Sequence, residues 1–181
     1  MSDDRAELLA GIRAKAVIRG DFVLSSGRRA DVYVDLRRVL LDGRLAPLAG
    51  RVMLDLTADL GYDAVGGLTL GADPVAYALV AAAHAAGRAL DAFTVRKEPK
   101  THGTGQRIEG CFMSGAAVVV VEDVITTGQS ASDAIAAITA EGGRVLGVLA
   151  VVDREEGGRA TLERAGHAVE ALVTATSLGL R

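Results

Sequence analysis

Two apolar runs constrain this chain more than any other feature. AAVVVV (116–121) and RVLGVLAVVD (144–153) are continuous, and between them SASDAIAAITAEGG reads as a helix stopped by glycine. A strand with one wet face alternates polar and apolar residues, whereas a strand apolar throughout must be covered on both faces. Strand, helix and strand in this order predict parallel pairing with helices on both sides of the sheet.

The rest of the chain extends the same alternation. Ser2 before Asp3 and Asp4 reads as an N-cap, followed by a helical stripe of Leu8, Leu9, Ile12 and Ala16. FVL (22–24) and VYVDL (32–36) are short strands around SSGRR. Leu45, Leu48, Val52, Leu56 and Leu60 predict a second amphipathic helix stopped by Gly61. AVGGL is a small strand, and Asp73-Pro74 reads as N-cap and first turn of an alanine-rich helix ending at Gly87. DAFTVRK is a further strand. The expected fold is α/β, a central parallel sheet flanked by helices, in one domain spanning 1–181.

Charge and composition exclude several functions. The net charge is −3, which argues against general nucleic-acid binding, and 3% aromatic residues offer few stacking platforms. Cys111 is the only cysteine, so neither an intrachain disulfide nor a thiolate metal cluster is expected, and a reducing cytoplasm fits. The acidic start MSDDRAELLA lacks a signal pattern, and no apolar run reaches the roughly 18 residues of a membrane span.

In open α/β sheets ligands bind beyond the carboxyl ends of the strands, so three loops are candidates. In VVVVEDVITTGQSASDAI, Glu122 and Asp123 end a valine strand and are followed by Val124, Ile125, Thr126, Thr127, Gly128, Gln129 and Ser130. Carboxylates accept hydrogen bonds from vicinal hydroxyls, while a glycine turn at a helix N-terminus suits phosphate. Together they predict a sugar carrying a phosphate. The alternative is a plain turn with a Thr/Ser N-cap and a solvated acidic pair. The lysine of GxxxxGK[ST] is absent, so this is not a nucleoside-triphosphate P-loop. VRKEPKTHGTGQRIEG (95–110) gathers Arg96, Lys97, Lys100, His102 and Arg107 among breakers, predicting a mobile surface loop. Alone it is a solvated basic loop; beside a phosphate-sugar site it becomes a clamp for a second anion. GGLTLGAD (66–73) suits backbone approach to an anion, but a tight turn explains it almost as well.

EDVITTGQS resembles the phosphoribosyl-diphosphate (PRPP) signature of the type I phosphoribosyltransferases. VRKEPKTHGTGQRIEG resembles, more narrowly, the mobile catalytic loop of the orotate phosphoribosyltransferase family, and LSSGRRADVYVDLRR and GGLTLGADPVA are similar to it too. The resemblance implies a five-stranded parallel core, an N-terminal hood drawn largely from about 1–40, and a homodimer with shared active sites. It implies Mg²⁺-dependent transfer of phosphoribose from PRPP to orotate in pyrimidine biosynthesis, with Mg²⁺ bound mainly through PRPP and no direct protein ligand. Under it Glu122 and Asp123 hold the ribose hydroxyls, Asp123 counting among the catalytic residues, and Val124 to Ser130 belong to the PRPP site. The loop after Gly67 approaches the diphosphate. Lys97, Lys100 and His102 close over the diphosphate as catalytic residues, and Arg96 reaches the partner's site. Arg154 and Thr126 contact orotate. Ser25 stands where many members carry lysine, and Leu70 where some carry a polar residue or lysine. Two alternatives remain: a purine or xanthine transferase of the same type, and a PRPP-sensing regulatory protein. No room is expected for a fused decarboxylase.

Overall fold

The computed structural model describes residues 3–23, 29–98 and 107–180. Ser2, Leu24, Ser25, Lys100 and His102, all singled out above, lie outside them. Helix α1 (Asp3–Lys15) packs Leu8 and Ile12 inward. It leads into an antiparallel hairpin of β1 (Val17–Val23) and β2 (Arg29–Val34), separate from the main sheet. The first strand thus starts five residues before the expected FVL. A short helix α2 (Arg37–Leu40) links the hairpin to α3 (Leu45–Leu56).

The main sheet contains β3 (Ala64–Leu68), β4 (Asp91–Val95), β5 (Ile108–Gly110), β6 (Ala117–Ile125), β7 (Arg144–Asp153) and β8 (Val169–Thr174). Their order is β5-β4-β3-β6-β7-β8. Five strands run parallel and β5 alone is antiparallel, against β4. The sequence reading placed 108–110 in a surface loop, but Ile108 is buried and pairs with Val95. Helices α4 (Ala72–Ala85), α5 (Gln129–Ala140) and α6 (Gly158–Arg164) complete the layers.

The valine run serves both faces at once. Val119 and Val121 pack with α1, α3 and α4, while Val118 and Val120 pack with Ala134 and Ile138 of α5. Side chains alternate across a strand, so a residue string apolar at every position fills two cores.

Three expected boundaries move. Helix α3 stops at Leu56, a turn before Gly61, because the Thr57 hydroxyl donates to Met53 O at 3.0 Å and meets the Tyr62 hydroxyl at 2.7 Å. Asp73 lies inside the first turn of α4 and does not cap it. Its carboxylate accepts the hydroxyls of Thr69 (2.7 Å) and Thr94, tying the β3–α4 loop to β4. Strand β6 runs on to Ile125, so Glu122 and Asp123 sit within it and not at its end.

Candidate active site

The strand order reverses between β3 and β6, because the chain goes from β3 to one side and returns on the other. That switch opens a crevice at the carboxyl ends of the two strands, where such sheets bind ligands. The loop after β3 and the turn after β6 form its walls, and they meet at Asp123. A Cβ added to Gly71 would lie 2.6 Å from Asp123 Oδ1, so only glycine lets this loop lie against the acid. Lower down, a side chain at Gly67 would collide with the Val121 carbonyl. The Thr69–Leu70 peptide between them is cis, and Leu70 is exposed.

The two acids have different environments. Asp123 is half-buried, and its Oδ1 accepts the Val124 amide at 2.8 Å. Glu122 is only 6% exposed, and its Oε2 is buried without a hydrogen-bond partner. Burial, reinforced by the adjacent Asp123 carboxylate, pushes the Glu122 carboxyl up to about 9, so it is neutral at pH 7. The alternative of a solvated acidic pair therefore does not hold at Glu122: continuing the strand draws that side chain under the turn.

Residues 124–131 and Glu122 line one small cleft. Gly128, at φ 83°, is the N-cap of α5, which corrects the Thr/Ser cap considered above. No side chain caps this helix, and Thr126, Thr127, Gln129 and Ser130 are exposed around its first turn. The first amides of a helix have no partner within it, so this turn presents N–H donors and positive dipole to an incoming anion.

Arg154 follows β7 and lies beside this turn. Its amide donates to Ile125 O at 2.9 Å, and Gly158 N donates to Thr126 O at 2.9 Å. A Cβ at Gly158 would stand 2.5 Å from Thr126 O and 2.7 Å from Gly128 N, so the two loops are in backbone contact. The Arg154 guanidinium is paired with Glu156 at 3.1 Å.

The basic loop is described only at its ends. Arg96 pairs with Glu109 of its own chain at 3.1 Å, and its Nε is buried without a partner. Lys97 is exposed. Arg107, grouped above with the anion clamp, has another task. Its Nε donates to Arg96 O and its Nη2 to Lys97 O, both at 3.2 Å, and Arg96 N donates to Arg107 O at 2.8 Å. These bonds close the base of the loop.

Two residues where the β1–β2 hairpin meets α2 were not assigned a role from sequence. Asp35 Oδ1 accepts both Arg37 N (3.2 Å) and Nε (2.7 Å). The Arg37 guanidinium is held above its usual range first by that bond, and Asp123 adds to the same field across the crevice. The signal was the Asp-Leu-Arg step in VYVDLRR, which places an acid two residues before a base at a strand exit.

No family model matches the chain. The chain is 55% identical to an orotate phosphoribosyltransferase of Streptomyces avermitilis over 163 residues, covering 90% of each. The chain belongs to the orotate phosphoribosyltransferase family. A Mycobacterium tuberculosis member is 50% identical over 177 residues, covering 98% of this chain and 97% of that one. The crystal structure of a Mycobacterium tuberculosis member in complex with PRPP superposes with a TM-score of 0.84 at 47% identity, covering 97% and 99% of the two chains. The mixed, mostly parallel six-stranded sheet is thus the family fold.

Proposed function

We propose that the protein transfers phosphoribose from PRPP to orotate, releasing diphosphate and forming orotidine 5'-monophosphate for pyrimidine biosynthesis. The observation that carries this is the convergence of Asp123, the Gly71 loop, the α5 turn and Arg154 on one crevice. Asp123 faces the ribose diol, and the neutral Glu122 carboxyl, buried beneath the turn, would meet it from below; a carboxylic acid donates as well as accepts, which suits a hydroxyl. Thr126, Thr127, Gly128, Gln129 and Ser130 take the 5-phosphate. The fork of Arg154 takes orotate's carboxylate, with Thr126 beside the ring. Lys97, Lys100 and His102 offset the charge that builds on diphosphate as the C1–O bond breaks. Orotate's ring nitrogen then forms the new bond to C1.

Mg²⁺ would be carried by PRPP's own oxygens, where it would neutralise part of the diphosphate charge. A homodimer is supported by an apolar groove of about 390 Å³ lined by Leu41, Pro47, Pro74, Tyr77 and Ala81; in it Arg96 would leave Glu109 of its own chain to reach the partner's site. Leu41 and Tyr77 are exposed in the groove, as interface residues are before pairing. The chain acts as one cytoplasmic domain, with the β1–β2 hairpin as its hood.

The test is diphosphate release from PRPP and Mg²⁺ with orotate, uracil, hypoxanthine or adenine supplied separately. Release with orotate alone is expected. Turnover with a purine and none with orotate would overturn the assignment.

A further inference from the structure

We propose that Asp153 is a positioning residue that sets the direction of Arg154 toward the substrate. This deepens the orotate reading of Arg154 and rests on it. Asp153 is the last residue of β7 and is 2% exposed, a costly place for a carboxylate unless it is fully engaged.

Both of its oxygens are engaged on either side of Arg154. Oδ1 accepts the Glu155 amide at 2.8 Å, and Oδ2 accepts Arg159 Nε at 2.8 Å. Arg159 in turn donates to Val169 O and pairs with Glu163 at 3.6 Å, anchoring the carboxylate to β8 and α6. The Oδ1 bond folds the backbone back two residues on, a turn typical of aspartate.

That turn forces an uncommon geometry on the next residue. Glu155 has φ 55°, the only non-glycine residue at positive φ among those described. L residues hold such a conformation only where surrounding contacts impose it. Here the contacts are Asp153 Oδ1 behind and, in front, Thr176, whose N and Oγ1 both donate to Glu155 Oε2 at 2.7 Å. Arg154 lies between these fixed points, with its own amide bonded to Ile125 of the signature strand. The bonds from the Asp153 carboxylate do not touch the phosphate turn itself, whose links to this loop are backbone to backbone. Removing the carboxylate should therefore misdirect Arg154 and spare PRPP binding.

The experiment compares Asp153→Asn, Arg154→Ala and the double variant by diphosphate release, varying orotate and PRPP in turn. Asparagine keeps the shape and the Glu155 bond but cannot accept from Arg159 in the same orientation. Arg154→Ala should raise orotate KM by about tenfold or more, a lost charge-assisted pair. Asp153→Asn should raise orotate KM at least about threefold, with PRPP KM within about twofold. If Asp153 acts through Arg154, the double variant should match Arg154→Ala within about twofold. An unchanged orotate KM in Asp153→Asn, or losses that multiply in the double variant, overturns the positioning role while leaving the orotate reading intact. An unchanged orotate KM in Arg154→Ala overturns both. Should Asp153→Asn fail to fold, Arg159→Gln makes the same cut from the half-buried partner and is read in the same way.

Discussion

Replacing Glu122 with glutamine should stabilise the free protein, and by an amount that grows with pH. The carboxyl is pushed from 4.5 to about 9, so ionising it in place costs roughly 6 kcal/mol. In the unfolded chain it is ionised above pH 4.5, whereas the folded chain keeps the proton to about pH 9. The folded state therefore binds one proton more across this window, and stability falls as pH rises through it, by about 1.4 kcal/mol per pH unit. This is the reverse of the usual salt-bridged carboxylate. Glutamine has the same shape and no proton to hold, and groups common to both proteins cancel in the difference. Between pH 6 and 8 the variant should gain about 3 kcal/mol on the parent. For a domain of this size that is about 5–11 °C in Tm. Thermal melts of both proteins without ligand, at pH 6, 7 and 8, measure it directly. Parallel Tm curves would refute the reasoning, because they would mean that Glu122 is ionised in the fold and its Oε2 has a partner.

Gly71→Ala should raise PRPP KM by about tenfold or more while the protein still folds, since its Cβ would displace the Asp123 carboxylate from a loop half-open to solvent; substrate-varied diphosphate release checks it, and an unchanged KM would separate Asp123 from PRPP. Lys100→Ala and Asp123→Asn proteins should each be nearly inactive; if the chain is a homodimer whose loop and acid come from different subunits, mixing them with subunit exchange should restore about a quarter of the parent activity. No recovery, with exchange confirmed by tagged subunits, would assign the loop to its own subunit.

The sequence by itself determined the layered α/β plan and pointed to the candidate site. An uninterrupted apolar strand can only be buried on both sides, and that holds whatever its neighbours are. The acids and the glycine turn were legible for a similar reason, since their chemistry belongs to residue type and short spacing, whereas Arg154 stood out only through the resemblance to the family. Tertiary structure decided what those residues experience. Glu122 and Asp123 are adjacent letters, yet one is sealed under the turn and neutral while the other faces the Gly71 loop, because β6 continues past both. Arg107 belongs to a basic cluster in the sequence but spends its guanidinium on the carbonyls of Arg96 and Lys97. Asp153 reads as the polar end of a strand until β8 and α6 close over it and bring Arg159 to its oxygen. Protonation and hydrogen-bond partners depend on groups distant in the chain, and only folding brings those groups together.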